Sequence, residues 1–210
     1  DTNCVLMWLE RSSFRLRGAG SAVYIAPWKV PQAPHDADVV FVSHEHYDHC
    51  SPEDVAKVAH ENTALVAPAE AARQIGAAQA VAPDEQTTFA EVVIETVASY
   101  NIGKAFHPKG NHWCGAVFTL AGKRVYYAGD TDLIPEMSDL RDVDLALLPV
   151  GGTYTLSAAE AARATERIGC AHAVPYHWGE IVGSLADAEQ FARQAACEVT
   201  ILQPGESMTI

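Results

Sequence analysis

Short apolar runs separated by turn-forming residues fill the first 42 positions. Val5-Leu6-Met7-Trp8-Leu9, Phe14-Arg15-Leu16-Arg17 and Ala22-Val23-Tyr24-Ile25 are rich in aromatic and β-branched residues. Breaks such as Gly18-Ala19-Gly20 divide them, which predicts strands. Pro27, Pro31 and Pro34 mark a loop before the apolar run Val39-Val40-Phe41-Val42, which reads as a central strand. Ser51-Pro52-Glu53-Asp54 then opens a helix, with a cap, a proline in the first turn and acids at the positive end. Ala64 to Ala67 reads as another strand, and 68–75 as a helix.

The second half has the same style. Val92-Val93-Ile94, Ala116 to Leu120, Arg124 to Ala128 and Leu145 to Val150 read as strands. Helices are expected over 157–168 and 185–196, with a strand around Ala173-Val174 between them. Strands first and helices later in each half imply two packed sheets with helices outside. At 210 residues the chain fits one domain over 1–210, or two fused half-size repeats sharing a core.

Composition narrows the function classes. Apolar residues make up 49% and charged residues 20%, as in an ordinary globular protein, and no run approaches a membrane span. The start, Asp1-Thr2-Asn3-Cys4, shows no basic segment followed by an apolar one, so no signal peptide is expected. The five cysteines are odd in number and widely spaced, which points to reduced thiols and a cytoplasmic location. The formal net charge is -13, and the 14 Lys and Arg are scattered. Nucleic-acid binders need a basic face to replace phosphate counterions, so polyanionic partners are disfavoured and a small-molecule substrate is expected. A homo-oligomer stays open.

The densest chemistry follows the central strand. Ser43-His44-Glu45-His46-Tyr47-Asp48-His49 holds three histidines and an aspartate within six residues. In extended chain, side chains two apart point the same way, so His44 and His46 can face one ion. Asp48 and His49 can reach a second ion beside it. Imidazole suits zinc, and carboxylate tolerates a harder divalent metal. Two later segments also place a polar residue after an apolar strand. Asp130, after Gly129, could bridge two ions, though alone it would read as an Asx turn. His177 ends another strand, where a lone histidine is usually structural. Beside the first motif both become candidate ligands. One more imidazole is needed, and spacing does not choose between His107 and His112. His35, His60 and His172 lack any partner pattern.

His44-x-His46-x-Asp48-His49, a loop histidine, Gly129-Asp130-Thr131-Asp132 and a late His177 together resemble the metallo-β-lactamase superfamily. Trp8-Leu9 through Phe14, Tyr100-Asn101-Ile102, His107-Pro108-Lys109, Leu148 to Tyr154 and His177-x-Gly179 resemble its metal-dependent hydrolase branch, related to ascorbate-6-phosphate lactonase. The resemblance implies an α+β fold, an αββα sandwich of two mixed β-sheets flanked by helices. It implies two divalent ions, Zn2+ first, with Mn2+, Fe2+ or Ni2+ as alternatives. His44, His46 and the loop histidine would hold one; Asp48, His49 and His177 the other; Asp130 would bridge. His-Pro-Lys is how that branch looks at the loop, which favours His107.

The implied chemistry is hydrolysis of an ester, lactone or phosphoester by a metal-bound, bridging hydroxide, with Asp48 as the catalytic carboxylate orienting the nucleophile. Lys109, Arg11 and the amides of Gly151 and Gly152 are candidate holders of an anionic group; Trp113, Tyr154 and Trp178 are candidate pocket walls. Two departures stand out. The branch tends to have Gly-His-Ala-Ser where this chain has Glu10-Arg11-Ser12-Ser13, and Asp-Pro where it has Ala26-Pro27. They motivate a rival reading, a metal-binding or sensor protein that hydrolyses little. A di-iron redox site is the other rival, and His46 speaks against it, because related electron-transfer proteins tend to have Glu there.

Overall fold

A computed structural model describes residues 3–210. Asp1 and Thr2, part of the segment read above for a leader, lie outside the described residues. Two sheets face each other, with helices on their outer sides. The first contains β1 (Val5–Glu10), β2 (Ser13–Gly18), β3 (Ser21–Ile25), β4 (Val39–Phe41) and β5 (Ala64–Val66). The last strand of the chain, β13 (Ser207–Thr209), joins its edge, giving the order β13-β1-β2-β3-β4-β5. The second sheet contains β6 (Gln86–Phe89), β7 (Val92–Ala98), β8 (Cys114–Leu120), β9 (Lys123–Tyr127), β10 (Leu145–Pro149), β11 (His172–Tyr176) and β12 (Glu198–Val199), in the order β12-β11-β10-β9-β8-β7-β6. In both sheets an antiparallel meander passes into parallel strands, β3-β4-β5 and β9-β10-β11-β12. These are the two mixed sheets of the αββα sandwich.

Period-two alternation explains the layering. Val23, Ile25, Val39 and Phe41 point into the shared core with Phe118 and Leu147 of the second sheet, and the Phe41 and Phe118 rings meet edge to face at 5.4 Å. The alternate residues Tyr24, Val40 and Val42 point the other way. They pack under Val55 and Val58 of α1 (Pro52–Val58) and Ala71 and Ala72 of α2 (Ala69–Ile75). Burial on both faces is why Val39 to Val42 has no polar alternation. On the second sheet α3 (Ala158–Ile168) lies against β10, and α4 (Leu185–Gln194) against β11. Ser157 and Glu160 form a reciprocal capping box at the start of α3.

Three strands have no counterpart in the sequence reading: β6, β12 and β13. They are short, largely polar edge strands, and their pairing comes from the neighbour rather than from their own pattern. The helix expected to end at 196 stops at Gln194, and the central strand ends at Phe41. All five cysteines are free thiols. Cys50 packs against the α1–α2 layer, with its thiol 3.7 Å from Gln74 Oε1.

Asp54 clamps the loop before β4 to α1. Its carboxylate accepts from the amides of Lys29 and Val30, both at 3.0 Å, and from Ser51 Oγ at 2.8 Å. Burial pushes this carboxyl up, but the hydrogen bonds from Ser51, Val30, Lys29 and Lys57 outweigh it, and the group sits below the usual carboxylate value. The depressed folded value places its stabilisation above the unfolded pKa near 4, and it disappears as pH falls through the folded value. Asp54→Asn is expected to cost about 1–2 kcal/mol at pH 7 in urea unfolding. The gap to wild type should close toward pH 3; an unchanged gap would rule out the ionised clamp.

Candidate metal centre

Three strand ends, one turn and one loop converge on a buried carboxylate. β4 delivers His44, His46, Asp48 and His49; β9 delivers Asp130; β11 delivers His177; the loop between β7 and β8 delivers His107. The turn between β1 and β2 adds Arg11. Strand C-termini free several backbones at one place, where side chains can point together without breaking the ladders.

Gly129 makes the Asp130 corner. Its φ is +74°, and a side-chain carbon there would lie 2.7 Å from Ser99 Oγ, so glycine is required. Its carbonyl accepts the Tyr176 hydroxyl at 2.6 Å. Asp130 Oδ2 then lies 3.0 Å from His49 Nε2, 3.4 Å from His107 Nε2, 3.5 Å from His177 Nε2 and 3.8 Å from His44 Nε2. Burial pushes Asp130 up, but the surrounding imidazoles, His49 first and then His177, hold it well below the ordinary carboxylate range. His44 is driven well below the usual imidazole value by burial and by His49, and His46 shifts the same way through burial and His107. Those are shifts toward the neutral, metal-ligating form. Burial lowers His49, yet the Asp130 and Asp48 carboxylates raise it on balance.

Supporting contacts set the ring orientations. The His107 amide donates to Asn101 Oδ1 at 3.0 Å, and Nδ1 lies at the same distance from that oxygen. Asn101 Nδ2 in turn donates to the Tyr154 carbonyl at 2.9 Å. Since Asn101 Oδ1 can only accept, Nδ1 carries the proton and the Nε2 lone pair faces inward. Ser43 Oγ lies 2.8 Å from His44 Nδ1 and orients that ring. Asp132 takes no place among the imidazoles. It accepts from the Ile102 amide and from Lys104 Nζ, both at 2.8 Å, and so fixes the loop that carries His107. Asn101 was visible in sequence only as part of the branch-like stretch 100–102, with no signal for its contact.

The donors fit a metal. His44 Nε2, both ring nitrogens of His49, His107 Nε2, Asp130 Oδ1 and His177 Nδ1 are buried without a hydrogen-bond partner. Each such atom costs about 1–3 kcal/mol if left unmet, and a cation removes that cost for the carboxylate oxygen and for the one lone pair that a neutral ring offers. His44, His46 and His107 bring donor atoms within 4.8 Å of one another; so do His44, His49 and Asp130, and Asp48, His49 and His177. The structure therefore gathers all seven candidate ligands. Of the two loop histidines, His107 lies in the cluster, and His112 is exposed at the end of a 3-10 turn. His35, His60 and His172 take no part.

A cavity of about 240 Å³ opens onto the cluster, lined by Arg11, His46, Tyr47, Asp48, Phe106, His107, Asp130, Tyr154 and Ile181. Tyr154 is a wall, as expected. Trp113 lies behind the histidines, its ring 5.0 Å from those of His44 and His46. Trp178 packs on Trp8 at 5.1 Å instead. Of the candidate anion holders only Arg11 lines the cavity; Lys109 sits over the Tyr100 ring, and the Gly152 amide donates to Leu156 O. A larger hollow of about 730 Å³, around Leu65, Gln79 and Thr87, holds none of the candidate ligands.

The sequence profile of the family described as "Beta-lactamase superfamily domain" matches residues 5–177. The chain belongs to the metallo-β-lactamase superfamily. It is 30% identical to a UPF0173 metal-dependent hydrolase of Aeropyrum pernix, over 96% of each chain. It is 31% identical to one of Symbiobacterium thermophilum, over 98% of this chain and 99% of that one. A solved structure from Parabacteroides distasonis superposes with a TM-score of 0.83 at 28% identity, covering 95% of this chain and 94% of the other. No helix among the described residues is long and apolar enough to cross a membrane.

If His107 holds metal and His112 does not, His107→Ala should weaken retention of a divalent ion by at least about tenfold. His112→Ala should leave it within about twofold. Metal content after dialysis checks both, and equal losses would remove His107 from the ligand set.

Proposed function

We propose that this superfamily member is a metal-dependent hydrolase, with zinc as the expected ion, that cleaves an ester, lactone or phosphoester of a small molecule. The observation that carries the reading is the His44, His46 and His107 trio, in which the buried Nε2 atoms of His44 and His107 have no partner, beside the 240 Å³ cavity. A bound divalent ion would supply Lewis acidity and a water whose pKa falls from about 15.7 toward about 7. Among the described residues no serine, threonine or cysteine lines the cavity, which favours water as the nucleophile.

The chain's own residues bind and orient. Asp48 is lowered on balance: burial raises it, while His49 and the Arg11 hydrogen bond outweigh that. It is therefore an ionised carboxylate at the cavity wall, suited to orient the attacking water and accept its proton. Among the described residues Arg11 is the one Lys or Arg lining the cavity, and it suits a developing oxyanion or an anionic substrate group. Tyr47, Phe106 and Ile181 are exposed apolar residues at its rim and favour a substrate with an apolar portion beside the reacting group. The net charge and free thiols support a small-molecule substrate and a reducing, cytoplasmic setting. In the two-ion arrangement, Asp48, His49 and His177 would take the second ion and Asp130 would bridge. Arg11 already engages two of those three groups.

A panel of lactones, thioesters and phosphoesters, run on zinc-loaded wild type and His46→Ala, tests the reading. Turnover should fall at least about hundredfold in the variant. Equal turnover would overturn metal-dependent hydrolysis. Retained metal with no turnover of any ester class would favour the metal-binding or sensor protein that Arg11 and Ala26 motivate.

A further inference from the structure

The resemblance places a histidine where this chain has Arg11, and the structure shows what the arginine does there. Arg11 is 4% exposed. Its Nε donates to Asp48 Oδ2 at 2.5 Å, its Nη2 to His177 Nε2 at 3.1 Å and its Nη1 to the Glu180 carbonyl at 2.8 Å. Guanidinium nitrogens only donate, so the contact to His177 uses the imidazole lone pair at Nε2. A neutral ring has one such lone pair, and one spent on Arg11 is not available to a metal. The backbone holds this pose. Arg11 has a φ of 49° and His177 a φ of 65°, both left-handed. The Arg11 carbonyl accepts from Trp8 Nε1 at 3.0 Å and from the His177 amide at 3.1 Å. Two strained residues tied to each other, with the side chain bound at three nitrogens, make a built feature rather than a free arm.

We propose that the guanidinium of Arg11 replaces the second metal ion, so that the chain binds one divalent ion tightly, at His44, His46 and His107, and that Asp48 and His177 serve as partners of Arg11. The proposal rests on the metal-binding reading above. It deepens that reading by giving the number of ions and the cation that takes the other place. A divalent ion among Asp48, His49 and His177 would have to strip two charge-assisted or lone-pair contacts from Arg11 and remain beside its positive charge. The first trio carries no such competitor: its Nε2 atoms at His44 and His107 are unpartnered.

Zinc alone is the probe. Metal-free wild type, His46→Ala, Asp48→Asn, Arg11→His and Arg11→Met are titrated by calorimetry, and their metal content is measured after dialysis. Wild type should bind one tight ion, lost in His46→Ala and kept in Asp48→Asn. Arg11→His should bind two, the second at least about tenfold tighter than any second event in wild type. Arg11→Met, which removes the donors without adding a ligand, should also gain affinity at the second position. Two tight ions in wild type would overturn the proposal. So would an Arg11→His protein, folded by circular dichroism, that still binds one. A single wild-type ion that survives His46→Ala but is lost in Asp48→Asn would overturn it while leaving the metal reading intact. No bound zinc in wild type would overturn both.

Discussion

The rest of the site depends on one buried charge. Asp130 is a carboxylate removed from water with four imidazole nitrogens turned toward it, an arrangement that a cation among them stabilises. Those imidazoles come from β4, β11 and the loop after β7, so holding Asp130 ionised holds three distant parts of the chain in register. The same packing leaves donor atoms without partners, and such atoms are favourable only around a cation. Stability of the cluster and affinity for metal are thus one property seen from two sides.

Arg11 alters the balance of that cluster. It adds a permanent cation next to Asp48 and His177 and spends the two donor atoms that face it. Removing this guanidinium would leave Asp48 buried without its nearest partner, which is why the arginine and the carboxylate are best understood as a pair. Ala26, the other departure from the branch, adds no polar group. Its methyl is fully buried, and its amide donates to the Phe41 carbonyl at 2.8 Å. The chain therefore departs from the branch in charge at one position and in polarity at another, on a scaffold whose strand ends are otherwise arranged to collect ligands.

The scaffold itself is indifferent to substrate. The sandwich core of Trp8, Phe14, Phe41, Phe118, Tyr127 and Tyr176 fixes how the two sheets face each other. The cavity rim is set by residues that the core does not need, among them Tyr47, Phe106 and Ile181. Superfamily membership thus speaks for fold and metal-dependent chemistry, while the rim and Arg11 govern what enters and how charge is met.

Much of this was legible in one dimension. Alternation and apolar runs marked β1 to β4, both long helices and the central strands of the second sheet, because burial on one or both faces leaves a period in the residues themselves. The edge strands β6, β12 and β13 left no such trace, since their pairing is supplied by a neighbour. Histidines two apart just past a strand pointed to a metal, and Asp130 and His177 were credible because each ends an apolar run. Local pattern could not separate His107 from His112, five residues apart in one loop. Contacts between Asn101 and His107, remote from that local pattern, bury one and leave the other on the surface. Arg11 shows the same division. The sequence by itself determined that a guanidinium stands where the branch tends to have histidine. Only the tertiary structure decided that it points at Asp48 and His177, because residues 11 and 48 leave non-neighbouring strands of the first sheet and residue 177 leaves the second, and strand order and sheet packing bring them together.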